Sequence, residues 1–293
     1  MATGNVTTTT AAVMIPVVWT KEVELPFYKA LCFGNLVQQR GELVQGGGSL
    51  IHVPFLSTLN ARSKSAGTAV TYDNNTEQEV QISINKNYYS AVLIEDIAKV
   101  QASYDLQNLY RTAQAEAVAR QIDTDLAALY GSAGNTVSAG ATVADSNIIS
   151  LVQYFDANNV PRDQRYGVIG AYTHSDLLNV NKYVTYENTG KAGVAVAGVN
   201  AGAGGPPDTL VASVYGMDLH MSNNVAVAAG SPNLGENMFF HKKGLSLALQ
   251  LKPTYKMEDS VDYIGMKAVL HSVYGVAVER STAVQALTRN TNA

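Results

Sequence analysis

The stretch Ile94–Tyr130, IEDIAKVQASYDLQNLYRTAQAEAVARQIDTDLAALY, decides the architecture. Its 37 residues hold neither glycine nor proline and are rich in Ala, Gln, Leu and Arg, so nothing breaks a helix along it. Leu106, Leu109, Ala113 and Ala117 step by three or four, as do Ile122, Leu126 and Leu129. They predict an apolar stripe over polar Gln107, Asn108, Gln114 and Arg120. At 1.5 Å per residue such a helix spans roughly 50 Å, longer than a compact globule of this size requires. Gly131 stands where a C-cap glycine would end it. The molecule built on this helix is expected to be extended and flat.

Upstream, the triplet Gly46-Gly47-Gly48 precedes Ile51, Val53 and Phe55, which alternate with His52 and Pro54 as a strand does; Pro54 argues for an edge position. A second strand answers it, with Val80, Ile82 and Ile84 alternating with Gln81, Ser83 and Asn85 and the run continuing through Tyr88, Tyr89 and Val92. The pair predicts a long hairpin. Between the strands lies Ser57–Thr76, 20 polar residues, too many for an ordinary turn. Its charges are segregated: Arg62 and Lys64 go out, and Asp73, Glu77 and Glu79 come back. Two readings stand, a solvated loop and a loop that lies on a neighbouring subunit and meets opposite charge there.

Downstream, residues 135–235 change character: a short helix over Asp145–Asn158, a strand over Tyr166–Ile169, a helix opened by Thr173 or Ser175, and strands near Val211–Met221. This predicts a separate α/β lobe. Within it Gly190–Pro207 holds six glycines in 18 residues (Gly190, Gly193, Gly198, Gly202, Gly204, Gly205), with Lys191 its one basic residue, and reads as a flexible surface loop. After Glu236 the pattern returns to β through Met238-Phe239-Phe240, Leu245–Leu249 and Ala268–Val278. The opening residues, through the four threonines Thr7–Thr10, are too polar to anchor a core and read as an arm.

Composition narrows the function classes. Of 293 residues 15% are charged, against roughly 25% in an average soluble domain. With 46% hydrophobic residues and a mean hydropathy of -0.01, the chain is expected to fold and to cover part of its surface with copies of itself. A net charge of -4 and a pI near 5.7 argue against a dedicated nucleic-acid binder. The lone Cys32 sits between Leu31 and Phe33 as a core residue would, no membrane span is expected, and the reading is a protein made in a reducing cytoplasm.

No constellation carries chemistry. The histidines, His52, His174, His220, His241 and His271, are scattered without metal-ligand spacing, and there is no GxSxG elbow and no phosphate-binding glycine motif. Asp123 and Asp125, two apart on a helix, point to different sides. Glu258, Asp259 and Asp262 after Pro253 read as a turn, and Arg162, Asp163 and Arg165 as a polar connection into the strand at Tyr166. Catalytic residues, cofactors and metals are therefore expected to be none.

The order of these segments resembles the major capsid proteins of tailed bacteriophages with the Hong Kong 97 fold. Val17-Val18-Trp19-Thr20-Lys21-Glu22-Val23 is similar to that family's arm, and Tyr88-Tyr89-Ser90-Ala91-Val92-Leu93-Ile94-Glu95-Asp96-Ile97 to its passage from extended hairpin to spine helix. Asn159-Val160-Pro161-Arg162-Asp163-Gln164-Arg165-Tyr166 resembles its approach to the axial lobe, and Ser213–Asn224 the strand that leaves that lobe. Phe240-His241-Lys242-Lys243-Gly244 through Tyr274-Gly275-Val276 also fits.

The resemblance implies an α+β chain with an N-terminal arm at 1–46, an extended hairpin loop at 47–93, a peripheral domain at 94–134 and 236–293 that carries the spine helix, and an axial domain at 135–235. It implies hexamers and pentamers of one chain in an icosahedral virion shell around packaged double-stranded DNA, assembled in the bacterial host cytoplasm. Arg62, Lys64, Asp73, Glu77 and Glu79 would then touch a neighbour, and Gly190, Lys191, Gly198, Gly202 and Gly205 would crowd around an axis. Implied partners are a portal protein, a decoration protein and, since the family's cleaved N-terminal scaffolding segment finds no match, a separate scaffolding protein. Some members cross-link a loop lysine to a distant asparagine with a glutamate as catalyst; Lys64 is a possible donor, neither partner is matched, and the bond is not predicted. The alternatives are an encapsulin-like compartment with an enzyme cargo and, from another class, a monomeric β-rich binding protein or enzyme.

Overall fold

The structure, a computed structural model, describes residues 32–44, 46–56, 59–72, 77–96, 106–180, 210–229 and 234–290. Its elements are α1 (Phe33–Leu36), β1 (Gln38–Gln39), β2 (Leu50–Phe55), β3 (Gln78–Ser83), β4 (Lys86–Glu95), α2 (Leu106–Ala127), β5 (Asn135–Ser138), α3 (Asp145–Ala157), β6 (Arg165–Ile169) and α4 (Ala171–Leu178). Then follow β7 (Leu210–Val214), β8 (Met217–Met221), β9 (Ala226–Ala228), β10 (Leu234–His241), β11 (Leu245–Ser260), β12 (Gly265–Val278) and β13 (Val284–Asn290). The predicted α+β class stands.

The spine helix differs from its prediction at both ends and in its face. Ile94 and Glu95 still belong to β4, Asp96 is already helical, the helix is described again from Leu106 with residues 97–105 outside the described residues, and 3-10 turns over Ala128–Ser132 enclose Gly131 in place of a glycine cap. Twenty-two α-helical residues span about 33 Å. Gln114, expected on the polar face, is buried and donates from Nε2 to the carbonyls of Ser90 at 3.0 Å and Ala268 at 3.1 Å, so the buried stripe runs through Gln114, Val118, Asp125 and Leu126. Asp123 and Asp125 do diverge. Asp123 accepts the N–H groups of Cys32 and Gly34, at 3.0 and 3.1 Å, and so caps α1; Asp125 accepts the Tyr274 hydroxyl at 2.7 Å and pairs with Lys86 at 3.2 Å.

Three sheets organise the described residues. A four-stranded sheet runs β1-β11-β12-β4 beneath α2; a seven-stranded mixed sheet runs β5-β13-β10-β6-β8-β7, with β9 also on β10; β2 and β3 form a two-stranded ribbon. The second strand of the predicted hairpin is therefore two strands. It breaks at Ile84-Asn85, β3 staying with β2 while β4 crosses to β12. At this switch the Ser83 carbonyl lies against Gly275, where any side chain would collide with backbone. β11 continues through Pro253 to Ser260, which corrects the turn expected after that proline. Its pairing with β12 is irregular between Leu249 and Thr254, and β1 covers only Ser246 and Leu247 on its other side, so no ladder donor is lost at Pro253.

β10 is the wall between two cores. Met238 and Phe240 pack with Phe33, Leu126, Leu245 and Tyr274, while Phe239 packs with Ile148, Leu151, Phe155 and Leu219. Such a strand, buried on both faces, reads as a continuous apolar run. β10 and β13, on the peripheral side of residue 235 in the sequence reading, pair into the lobe's sheet with β6 and β5. α4 opens at Gly170, whose N–H is held by Asn237 Oδ1 at 2.8 Å, and Thr173 lies buried in its first turn. Arg165 is no surface connector: it is buried, donating to the Pro161 carbonyl at 2.8 Å, to Asp156 at 2.8 Å and to the Val160 carbonyl. That pairing holds the Asp156 carboxyl below its ordinary range.

Candidate assembly surface

The ribbon projects from the body on a small base. Ile51 and Ile82, opposed across the ribbon, pack on Val44 and Ala248, which satisfies the period-two pattern of both strands. The Ile84 N–H to Ser49 carbonyl bond, 2.9 Å, extends the ribbon's own ladder by one pair, and Gln250 Nε2 ties its root to the body through the Gly48 carbonyl at 2.8 Å. The Arg280 guanidinium stands 4.9 Å from the centre of the Phe55 ring. His52 and Glu79 meet on the solvent side at 3.0 Å; Gln81 and His52 together hold the Glu79 carboxyl below its ordinary range.

Beyond the ribbon, residues 59–72 lie wholly exposed without regular structure, a turn at Ser65–Thr68 apart. Arg62, Lys64, Glu77 and Glu79 are all on this projection; Asp73 lies outside the described residues, as does the remainder of the loop. Large apolar side chains share it: Leu56, Leu59, Val70 and Tyr72, the last 87% exposed. A loop with no core of its own that still displays these side chains has the composition of a surface made to be covered. The predicted axial residues Gly190, Lys191, Gly198, Gly202 and Gly205 lie outside the described residues too.

Two further surfaces were not read from sequence. The β11–β12 hairpin ends in a tip whose Val261 is 90% and Ile264 74% exposed, beside Tyr263. Glu258 and Asp259 end the strand and Asp262 lies in the turn, so the tip is acidic as well as apolar. The four-stranded sheet also has an open face. Tyr88 and Tyr274 stack toward α2, which turns Tyr89 (71% exposed), Ala91 and Leu93 outward. No sequence signal marks these residues as exposed, because an isolated apolar residue in a strand reads as core.

Chemistry is sparse. A cavity of about 140 Å³ lies at the end of β6 and the start of α4, lined largely by apolar surface, with Arg289 in its wall. Arg289 is committed to Asp176 through a two-point ion pair at 2.6 and 3.1 Å. Burial pushes the Cys32 thiol up to about 12, which leaves it unreactive. Among the described residues no group of three His, Cys, Asp or Glu could hold a metal, and no helix is long and apolar enough to cross a membrane.

No family model matches the sequence, and no curated protein does. Solved structures match nearly all of it. A chain from Mycobacterium phage Che8 superposes with a TM-score of 0.75 at 23% identity, covering 93% of this chain and 96% of that one. The capsid of cyanophage P-SCSP1u gives 0.74 at 18% identity, over 96% and 94%, and the mature capsid of bacteriophage PhiM1 gives 0.73 at 14%, over 95% and 93%. The fold is that of phage capsid subunits. It is the Hong Kong 97 fold implied by the order of arm, hairpin, spine helix and lobe. In these terms α2 is the spine helix and the β2–β3 ribbon the root of the extended loop.

Proposed function

We propose that this chain is a major capsid protein: copies of it close into the icosahedral head shell of a tailed phage, around packaged double-stranded DNA. The observation that carries the reading is likeness over the whole length, more than nine-tenths of both chains, to subunits of phage capsids. The molecule's own surfaces support it. An exposed loop on a narrow ribbon, an apolar hairpin tip and an open sheet face suit a subunit that is completed by its neighbours.

In this reading residues 1–46 are the arm, 47–93 the extended loop, 94–134 and 236–293 the peripheral domain, and 135–235 the axial domain. Arg62, Lys64, Asp73, Glu77 and Glu79 touch an adjacent copy, and the glycine-rich axial segment adapts one chain to rings of five and six. Scaffolding, portal and decoration proteins are the expected partners, with DNA held without sequence readout. The function is mechanical.

Sedimentation and negative-stain imaging of the purified protein, alone and with its scaffolding protein, test it. Rings, capsomers or shells are expected. A protein that stays monomeric under every assembly condition overturns the reading.

A further inference from the structure

β4 forms one border of the four-stranded sheet, and among the described residues no strand pairs with its outer edge. An unpaired edge leaves alternate N–H and C=O groups without ladder partners, and proteins that keep such an edge in water shorten it, bulge it, or place proline or lysine within it. β4 is neither short nor bulged. It runs ten residues in unbroken register with β12, contains no proline, and carries charge only at its ends, Lys86 and Glu95. Lys86 is itself turned to Asp125.

The ribbon supplies the complementary edge. β2 carries Pro54, which has no N–H to give a further strand, so its outer edge is blocked in the usual way. β3, Gln78–Ser83, has no proline and no cation, and Glu77 and Glu79 make it acidic. The open face beside β4 carries Lys267, with Leu93 opposite it on β4 and Glu258 opposite it on β11, and Lys256 one strand further in. A two-stranded ribbon is marginal in water by itself, and three strands are the smallest sheet that holds. Within one chain β3 leads away from β4, its last carbonyl lying on Gly275 while β4 turns to β12.

We propose that β3 of one copy pairs with the outer edge of β4 of a neighbouring copy, so that the four-stranded sheet continues into the next subunit's ribbon. The proposal rests on the shell reading, and it specifies a backbone ladder as the contact between copies. Glu77 and Glu79 are thereby carried toward the lysines of the open face.

Single-cysteine chains, each built on a Cys32→Ala background, test it, because a disulfide between two different single variants is then intermolecular by construction. Variants at Glu79, Gln81 and Ser83 are mixed in turn with variants at Tyr89, Ala91 and Leu93 under oxidising conditions and read as dimers on denaturing gels. Directly opposed residues of antiparallel strands have Cα atoms about 4.5–5.5 Å apart, within disulfide reach. The dimers should follow one rule: the reactive pairs share a single sum of residue numbers for an antiparallel ladder, or a single difference for a parallel one. Ser150→Cys, on exposed α3, should give roughly tenfold less dimer with any of them, lying outside that reach.

Particles that form without these dimers overturn the strand pairing and leave the shell reading standing. Dimers that obey the rule without particles support the pairing and count against the shell. Neither particles nor dimers overturns both. Dimers of the Gln81→Cys chain alone would mean that ribbons pair with each other, and would overturn the proposal.

Discussion

Gly275→Ala puts one methyl group at the point where the chain passes from ribbon to sheet. A Cβ there would collide with the Ser83 carbonyl oxygen and stand 3.0 Å from its carbon and 3.2 Å from Ile84 Cα. All three are backbone atoms, and β12 is held between β11 and β4, so no side chain can swing aside. Overpacking of this kind costs about 1–3 kcal/mol. At about 2–4 °C per kcal/mol for a large domain, the melting temperature should fall by roughly 2–12 °C. The strain is relieved most readily by lifting the ribbon, which has the smallest base, so shell formation should suffer beyond the loss of stability. Thermal unfolding gives the first quantity and sedimentation at 20 °C the second. Gly34→Ala is the matched control, since nothing lies within 4 Å of its Cβ, and should leave both within about 1 kcal/mol of wild type. If Gly275→Ala melts with wild type and assembles normally, the passage at Ser83 is not the tight crossing described.

Three other outcomes follow from the same geometry. Arg289→Met leaves the Asp176 carboxylate buried without its ion pair, and should cost about 3–5 kcal/mol in chemical denaturation, with Asp176→Asn in the same chain recovering part of it. Ile264→Gly removes a β-branched residue from φ 44° and an apolar side chain from the hairpin tip, so the isolated subunit should gain about 1 kcal/mol while assembly weakens; a loss on both counts refutes the reading of the tip. Glu236 is buried with Oε2 unpartnered, and burial raises its carboxyl above the ordinary range. The folded state then binds more protons than the unfolded one, so this group's contribution is fully present below the unfolded pKa and is lost as pH rises through the folded value. Glu236→Gln should therefore raise the melting temperature at neutral pH, with the gain vanishing toward about pH 4, the unperturbed carboxylate range. A gain that is constant with pH would show that charge is not the cause.

What could be read from the sequence followed the reach of each signal. The ribbon's register was legible because Ile51, Val53, Val80 and Ile82 repeat with period two, and one face of the ribbon is buried. Residues 145–157 and 165–169 were legible for the same local reason. The spine helix was legible as a helix but not in orientation: an Ala- and Gln-rich sequence has little amphipathic contrast, so Gln114 could become the buried member by bonding two strand carbonyls. That Ile94 and Glu95 close a strand was not legible, because Tyr88–Ile94 suits a strand as well as Ile94–Tyr130 suits a helix, and only the pairing with β12 decides between them. Glu258 and Asp259 read as a turn after Pro253 because the pattern does not show whether a ladder donor is needed at that proline.

The residues least legible are those at which the isolated chain breaks local rules. Ile264 adopts a left-handed backbone and Val261 stands in solvent at the end of a sixteen-residue strand. Leu59, Val70 and Tyr72 sit exposed on a polar loop, and β4 keeps a long edge with no proline and no bulge. In a monomer each is a conflict between the local choice and the global fold, and natural sequences are largely free of such conflicts. They cease to be conflicts if the unit that must be consistent is several copies rather than one: the edge gains a ladder, the apolar tips gain cover, and the strain at Ile264 is offset by what the tip buries. The pattern of violations is thus itself an argument for assembly, and it is independent of the likeness of fold, since it would stand for this chain had no similar structure been known.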